Sequence, residues 1–337
     1  NTDMVEGGKA ILKPKNLKDT KNNKKSITVG ANSEADFEVT FSLDDSEVQE
    51  LKKDRPKGFF LEGYVVFESK NVNEEISIPF VGFKGDWNAL QVIEDSIYDM
   101  VSQGKRPTYY EVSDRTPYPF THIQSKSEGK DVLLGEDPTS TYRDPKFNKN
   151  KIAFSPNGDG RAEEIQFVGT FLRNYKDVII EAYNANDKDN PIYRFQKNDD
   201  FGTKNYFVSG FGGPNLTTTK SHWKWDGRNS SSELMKDGNY IFTVNVKADG
   251  TDDTIPNQKM EFPVIIDTVY PRIVKSSYDK ATGVYTLSQV EENGSGIRTK
   301  VITIGENDNK KEYKADENGV FKLPPNTDPK LATLTIS

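Results

Sequence analysis

Alternation of apolar and polar residues is the main pattern along this chain, and it predicts β-strands. The clearest early case is residues 33–43, where every second side chain is apolar. A period of two is typical of a strand that buries one of its faces. Similar short runs recur to the end of the chain, at residues 26–29, 58–67, 76–83, 165–172, 178–183, 191–195, 240–246, 260–267, 284–287, 300–304, 311–313 and 320–323.

Polar turn segments separate these runs, which favours antiparallel pairing. The runs at 58–67 and 76–83 predict a hairpin, and Pro79 within the second run belongs at a sheet edge or bulge because it has no N–H to donate. Strands repeated at such spacing with turn residues between them are typical of β-sandwiches. The sequence therefore predicts an all-β protein.

Three segments depart from the strand pattern. Residues 44–53 begin with acids, end with lysines and carry Val48 and Leu51 three apart, which predicts one short helix before Pro56. Residues 88–104 have apolar side chains at mixed spacing, so both a helix and packed coil remain open. Residues 106–148 show no period and predict an ordered connection between domains.

Chain length requires more than one domain. A chain of 337 residues exceeds a single compact core. We predict three sandwiches, at residues 1–112, 113–267 and 268–337, with Asp267 to Pro271 as the linker between the last two. The first is expected to lack strands at its N-terminus and the third to be cut short. A start at Asn1 rather than Met is expected of a piece of a longer protein.

Charge and cysteine content narrow the possible functions. A net charge of −7 disfavours nucleic acid and anionic lipid as partners, because both require a basic face. No run of about 20 apolar residues is present, so no membrane insertion is expected. The absence of cysteine excludes disulfides and thiol catalysis.

A polar turn at residues 154–165 is the strongest candidate site. Asn157, Asp159, the carbonyl of Arg161 and Glu163 or Glu164 are spaced like the alternating oxygen ligands of a calcium loop. Gly158 and Gly160 would let the chain curl around the ion. The alternative is a glycine turn that needs no metal, in which Asn157 and Asp159 cap their own backbone amides.

Two further candidates carry weaker signals. Lys84, Gly85 and Asp86 resemble an integrin-binding tripeptide, which would act only if the loop is exposed; Phe83 and Trp87 suggest instead that it is held against a core. His122 and His222 are the two histidines, and neither lies in an Asp-His-Ser pattern. Catalytic residues are therefore not expected in this chain.

Two groups of motifs resemble a known family. The hairpin sequence from Gly58 to Gly63 with Ile78 to Trp87 is similar to the first fibronectin-type-III-like domain that follows the protease domain in streptococcal cell-envelope subtilisin-like peptidases. The turn at 154–165, residues 169–174, Trp225-Asp226-Gly227 and Asp237 to Tyr240 resemble the second such domain of that family.

The resemblance implies tandem fibronectin type III or Ig-like sandwiches and a role beside a catalytic domain. Members of the family are wall-anchored serine endopeptidases of Gram-positive bacteria that cleave complement anaphylatoxin or chemokines such as interleukin-8. No Gly-Thr-Ser motif around a nucleophile is present, so the resemblance covers the accessory domains. These would serve as scaffold, spacer and substrate exosite. The alternative is an adhesin or structural stalk without a protease.

Overall fold

The computed structural model describes most of the chain, in two compact units that divide between Leu90 and Gln91. The residues that it describes are 9–13, 18–19, 25–36, 38–43, 45–68, 75–110, 118–127, 129–197, 199–206, 215–251, 254–255, 257–292, 294–297, 299–305 and 309–336.

Among its described residues, the first unit has three pairs of antiparallel strands, one α-helix and a 3₁₀ turn at Trp87–Ala89. Its elements are β1 (Lys9–Lys13), β2 (Lys18–Asp19), β3 (Lys25–Ser26), β4 (Glu38–Ser42), α1 (Asp45–Asp54), β5 (Gly58–Glu68) and β6 (Glu75–Gly85). The pairs are β1 with β4, β2 with β3, and β5 with β6. Of the strand predicted at 26–29, only Ser26 lies in a strand, β3. The strand predicted at 33–43 is confirmed over Glu38–Ser42, whereas residues 33–36 lie outside it. The helix predicted at 44–53 is confirmed as α1.

The hairpin of β5 and β6 is the longest regular feature of the first unit. Its register runs from Gly58 opposite Gly85 to Glu68 opposite Glu75, without a bulge. Pro79 lies opposite Tyr64 in β6, which pairs with β5 alone among the described strands. Pro79 therefore lies in an edge strand, as predicted.

The second unit begins with a two-sheet sandwich, here called the second sandwich. One sheet has the order β13-β10-β7-β8 and the other β12-β11-β14-β15-β9. Its elements are α2 (Ile97–Ser102), β7 (His122–Ser127), β8 (Lys130–Leu133), β9 (Ala153–Phe154), β10 (Ile165–Val168), β11 (Tyr175–Asn184), β12 (Asp187–Gln196), β13 (Lys224–Trp225), β14 (Gly238–Ala248) and β15 (Gln258–Ile266).

Aromatic rings fill the space between these two sheets. Trp223 and Trp225 are fully buried, and Phe262 of β15 contacts Phe167 of β10 with ring centroids 6.1 Å apart. Large rings bury extensive apolar area, so they supply most of the packing of a sandwich of this size.

Residues 91–110, 118–127 and 129–148 belong to this sandwich, whereas the missing period at 106–148 predicted an ordered connection between domains. They contain α2 and the β7–β8 hairpin, and Ile93, Ile97 and Ile123 are completely buried. Strand β7 was not predicted, because it buries polar residues and therefore lacks the alternation of apolar and polar side chains. The predicted domain limit at residue 112 falls inside the second compact unit, and the division into three domains stays a prediction.

The last part of the second unit forms a smaller arrangement, here called the third sandwich. Two three-stranded sheets have the orders β16-β17-β20 and β19-β18-β21. Their strands are β16 (Arg272–Asp279), β17 (Val284–Glu291), β18 (Lys300–Ile304), β19 (Lys311–Lys314), β20 (Val320–Lys322) and β21 (Ala332–Ile336). Leu287, Ile302, Phe321 and Leu323 form its core. The fold is all-β with tandem sandwiches, as predicted.

Candidate functional site

The polar turn lies between β9 and β10, and its short side chains cap their own backbone. Asn157 Oδ1 accepts a hydrogen bond from the amide of Asp159 at 3.0 Å. Asp159 Oδ1 accepts one from the amide of Arg161 at 2.8 Å. Gly158 and Gly160 have φ values of 86° and 81°, a conformation that favours glycine. The chain therefore curls tightly without steric strain.

Two glutamates complete the hydrogen bonding of this turn. Glu163 accepts from the amide of Gly158 at 2.9 Å and from that of Gly160 at 2.8 Å, one on each carboxylate oxygen. Glu164 accepts instead from Lys224 Nζ at 2.7 Å, in a half-exposed ion pair on the neighbouring strand β13. The two adjacent carboxylates thus have different partners.

Asn157 Oδ1, Asp159 Oδ1 and both carboxylate oxygens of Glu163 each accept a hydrogen bond from a backbone amide, as expected of a self-capped turn. In the part of the chain that the structure describes, no three His, Cys, Asp or Glu residues are grouped so that they could hold a metal. The geometry is that of the metal-free alternative. Calcium binding by Asn157, Asp159, Arg161, Glu163 and Glu164 stays a prediction.

A chelator experiment distinguishes the two interpretations of this turn. For a self-capped turn we expect the thermal unfolding midpoint of the chain to be the same in 1 mM calcium and in excess EDTA, within about 1 °C. A ligand that binds only the folded state raises stability by mass action. A midpoint several degrees higher in calcium, abolished by Asp159→Asn, would establish the metal site. Magnesium serves as the control cation.

The tripeptide Lys84, Gly85 and Asp86 lies at the end of β6, and all three residues are exposed. Lys84 and Gly85 are paired with β5, while Asp86 Oδ1 accepts from the amide of Asn88 at 2.9 Å and caps a short 3₁₀ turn. On either side, the rings of Phe83 and Trp87 contact each other with centroids 5.2 Å apart. The tripeptide is thus both accessible and held in place, and its adhesive role stays a prediction.

His122 is buried in β7 as a neutral structural residue. Its Nδ1 lies 2.7 Å from the carbonyl oxygen of Phe120, and its Nε2 lies 3.3 Å from Gln124 Oε1. Burial lowers the pKa of His122 to about 4, and these hydrogen bonds only partly oppose that effect. Because the ring is buried in the core, a substrate cannot reach it. Its low pKa means that the ring is neutral at pH 7.

His222 belongs to a buried charged cluster that the sequence did not reveal. Asp200, with 1% of its side chain exposed, pairs with Lys220 Nζ through one oxygen. Its other oxygen is 2.9 Å from His222 Nε2 and accepts from Trp223 Nε1 at 2.7 Å. Burial by itself raises the pKa of Asp200, but these three hydrogen bonds outweigh it, so the pKa lies below the usual value. The cluster therefore binds residue 200 to the start of β13.

Within the part of the chain that the structure describes, neither histidine has a serine or threonine hydroxyl as a ring-nitrogen partner. His122 contacts Phe120 and Gln124, and His222 contacts Asp200. A serine peptidase requires its hydroxyl within hydrogen-bonding reach of the base.

Across the described helices, none is both long and apolar enough to span a membrane.

Comparisons with known proteins agree with this structure. Residues 1–81 match a family model for an Fn3-like domain. The C5a peptidase of Streptococcus pyogenes serotype M1 is 29% identical to this chain, over 82% of the chain and 26% of the relative. The C5a peptidase of serotype M18 (strain MGAS8232) is also 29% identical, over 82% of the chain and 27% of the relative. The chain spans about a quarter of the length of these curated relatives. Residues 1–81 are therefore similar to an Fn3-like domain, and most of the chain is similar to part of the streptococcal C5a peptidases.

Proposed function

We propose that this chain is the non-catalytic accessory region of a wall-attached, subtilisin-like serine endopeptidase. The main support is that most of the chain is similar to only a quarter of a peptidase. The second support is that, among the described residues, neither histidine contacts a hydroxyl nucleophile. In this proposal the catalytic domain lies elsewhere in the same polypeptide, on the extracellular surface of a Gram-positive bacterium.

The β5–β6 hairpin supplies a surface on which a catalytic domain can rest. Phe60, Tyr64 and Val81 project from one face of the hairpin and are 59%, 69% and 71% exposed. The opposite face carries Phe59 and Phe67, which are buried and half-buried within the first unit. Exposed apolar clusters mark interaction sites. Because this hairpin is apolar on both faces and one face is exposed, the exposed face is suited to contact with another domain.

As a scaffold, the chain would brace the catalytic domain and hold it away from the wall. As an exosite, it would add binding area for a protein substrate such as a complement anaphylatoxin or a chemokine like interleukin-8. Contacts remote from the scissile bond contribute to selectivity when their binding energy stabilises the transition state.

Titration of the purified chain against the catalytic part of its parent protein tests the scaffold role. We expect the chain alone to cleave neither casein nor C5a, and to bind the catalytic part with measurable heat. The double substitution Phe60→Ser with Tyr64→Ser should weaken that binding at least tenfold, because it removes both aromatic rings from the contact surface. Tyr142→Ser, an exposed tyrosine of the second unit, is the matched control.

Two results would overturn the proposal. One is proteolysis by the chain alone that a serine-protease inhibitor blocks. The other is the absence of binding to the catalytic part together with attachment to integrin-bearing cells that Asp86→Ala abolishes. That second result would establish the adhesin alternative instead.

A further inference from the structure

The linker at residues 267–271 is attached to the second sandwich at two points. Thr268 donates from its amide and from its hydroxyl to the carboxylate of Asp237, at 3.0 and 2.9 Å. The hydroxyl of Tyr270 lies 3.0 Å from Asn157 Nδ2 and donates to Asp159 Oδ2 at 3.3 Å. The polar turn therefore contacts the linker through Asn157 and Asp159, two of the five residues predicted to bind calcium.

The start of the linker is attached to the third sandwich. Asp267 Oδ2 accepts from the amide of Ser295 at 2.7 Å and from its hydroxyl at 2.8 Å. Lys151 Nζ, from the second sandwich, donates to the carbonyl oxygen of Ser295 at 3.1 Å. Both the amide and the carbonyl of Ser295 are thus bonded across the junction.

The backbone at Gly294 approaches Asp267 so closely that only glycine fits. A Cβ atom at position 294 would lie 2.2 Å from Asp267 Oδ2 and 2.3 Å from its Cγ. Contacts of that length do not occur between real atoms, so any side chain would push the carboxylate or the loop away. The close approach therefore adds a steric constraint to the same contact that the hydrogen bonds of Ser295 make with Asp267.

We propose that these groups form an inter-sandwich clasp that holds the third sandwich in one orientation on the second. The clasp consists of Asn157, Asp159 and Lys151 on the second sandwich, Asp267 and Tyr270 on the linker, and Gly294 with Ser295 on the third sandwich. Its partner surface is this chain's own neighbouring module. The proposal does not depend on the function proposed above.

The Asp267–Ser295 contact contributes more to the clasp than the tyrosine. Hydrogen bonds to an ionised carboxylate are stronger than those between neutral groups, and this pair is half-buried. Tyr270 is 68% exposed, so water competes for its hydroxyl. Motion between neighbouring domains is the usual expectation for a short linker without a large apolar interface. The clasp replaces that motion with a fixed angle.

Distance measurements between spin labels test the clasp directly. The chain has no cysteine, so Lys188→Cys on the second sandwich and Lys310→Cys on the third can be labelled specifically. Both positions are exposed. We expect one narrow distance distribution by double electron–electron resonance. Asp267→Ala with Tyr270→Phe should at least double its width while the circular dichroism spectrum stays unchanged.

Matched controls separate the clasp from general effects of mutation. Glu317→Ala with Tyr64→Phe removes the same chemical groups at exposed positions and should leave the distribution narrow. If the clasp double variant does not fold, Gly294→Ala carries the test, with an expected shift or broadening of the distance. A broad distribution in the unsubstituted labelled chain, or an unchanged one in the folded clasp variants, would refute the clasp.

Discussion

Replacing Trp223 with alanine is expected to lower the free energy of unfolding of the second unit by about 4 kcal/mol. The indole is completely buried, with ring centroids 5.7 Å from Phe171 and 5.8 Å from Tyr175. Its loss leaves a cavity between the sheets. It also removes the 2.7 Å hydrogen bond to the buried carboxylate of Asp200, which adds an electrostatic cost.

Urea unfolding followed by far-ultraviolet circular dichroism measures this loss. Trp87→Ala is the matched control, because Trp87 belongs to the first unit and is 38% exposed. That control should leave the transition of the second unit within about 0.5 kcal/mol of the original value. A loss below about 1 kcal/mol for Trp223→Ala would show that the cavity collapses or that the ring is not in this core.

Asp200→Asn is expected to cost about 3 kcal/mol at pH 7, because it breaks a buried ion pair and leaves Lys220 without its counter-charge. The folded-state pKa of Asp200 is lowered, so its carboxylate contributes stability above the unfolded-state pKa of about 3.9. That contribution is lost as the pH falls through the folded-state pKa. The difference between the two proteins should therefore be largest at neutral pH and shrink below about pH 4.

Unfolding free energies measured from pH 7 down to pH 3 check this expectation. Asp199→Asn is the control, since Asp199 is the exposed sequence neighbour in a left-handed conformation that asparagine tolerates. It should have little effect at any pH. A pH-independent difference for Asp200→Asn, or equal effects of the two substitutions, would contradict the assigned role of the cluster.

Local alternation was enough to predict most strands. The runs at 58–67, 240–246 and 300–304 each correspond to a strand within two residues at either end. Their sheets bury one face, so the periodicity of the side chains reports the burial. The helix at Asp45–Asp54 was equally predictable, because acids in its first turn and lysines in its last turn favour the helix dipole.

Prediction failed where polar residues are buried. Strand β7 contributes His122, Gln124 and Ser125 to the interior. His122 and Ser125 bond to the backbone carbonyls of Phe120 and Glu164, and Gln124 donates to the side chain of Gln166. Strands β16 and β21 were also missed, since several of their residues are exposed or only half-buried. In each case the signal that identifies a strand, an apolar face, is weak or absent.

The sequence by itself determined an all-β chain, the β5–β6 hairpin, helix α1 and the composition of the polar turn at residues 154–165. Those features depend on neighbours along the chain. Only the tertiary structure decided that Asp200 meets Lys220, His222 and Trp223, and that Tyr270 meets the polar turn. Such contacts join residues 20 to more than 100 positions apart, and their geometry depends on how the sheets and the linker fold, which no local pattern encodes.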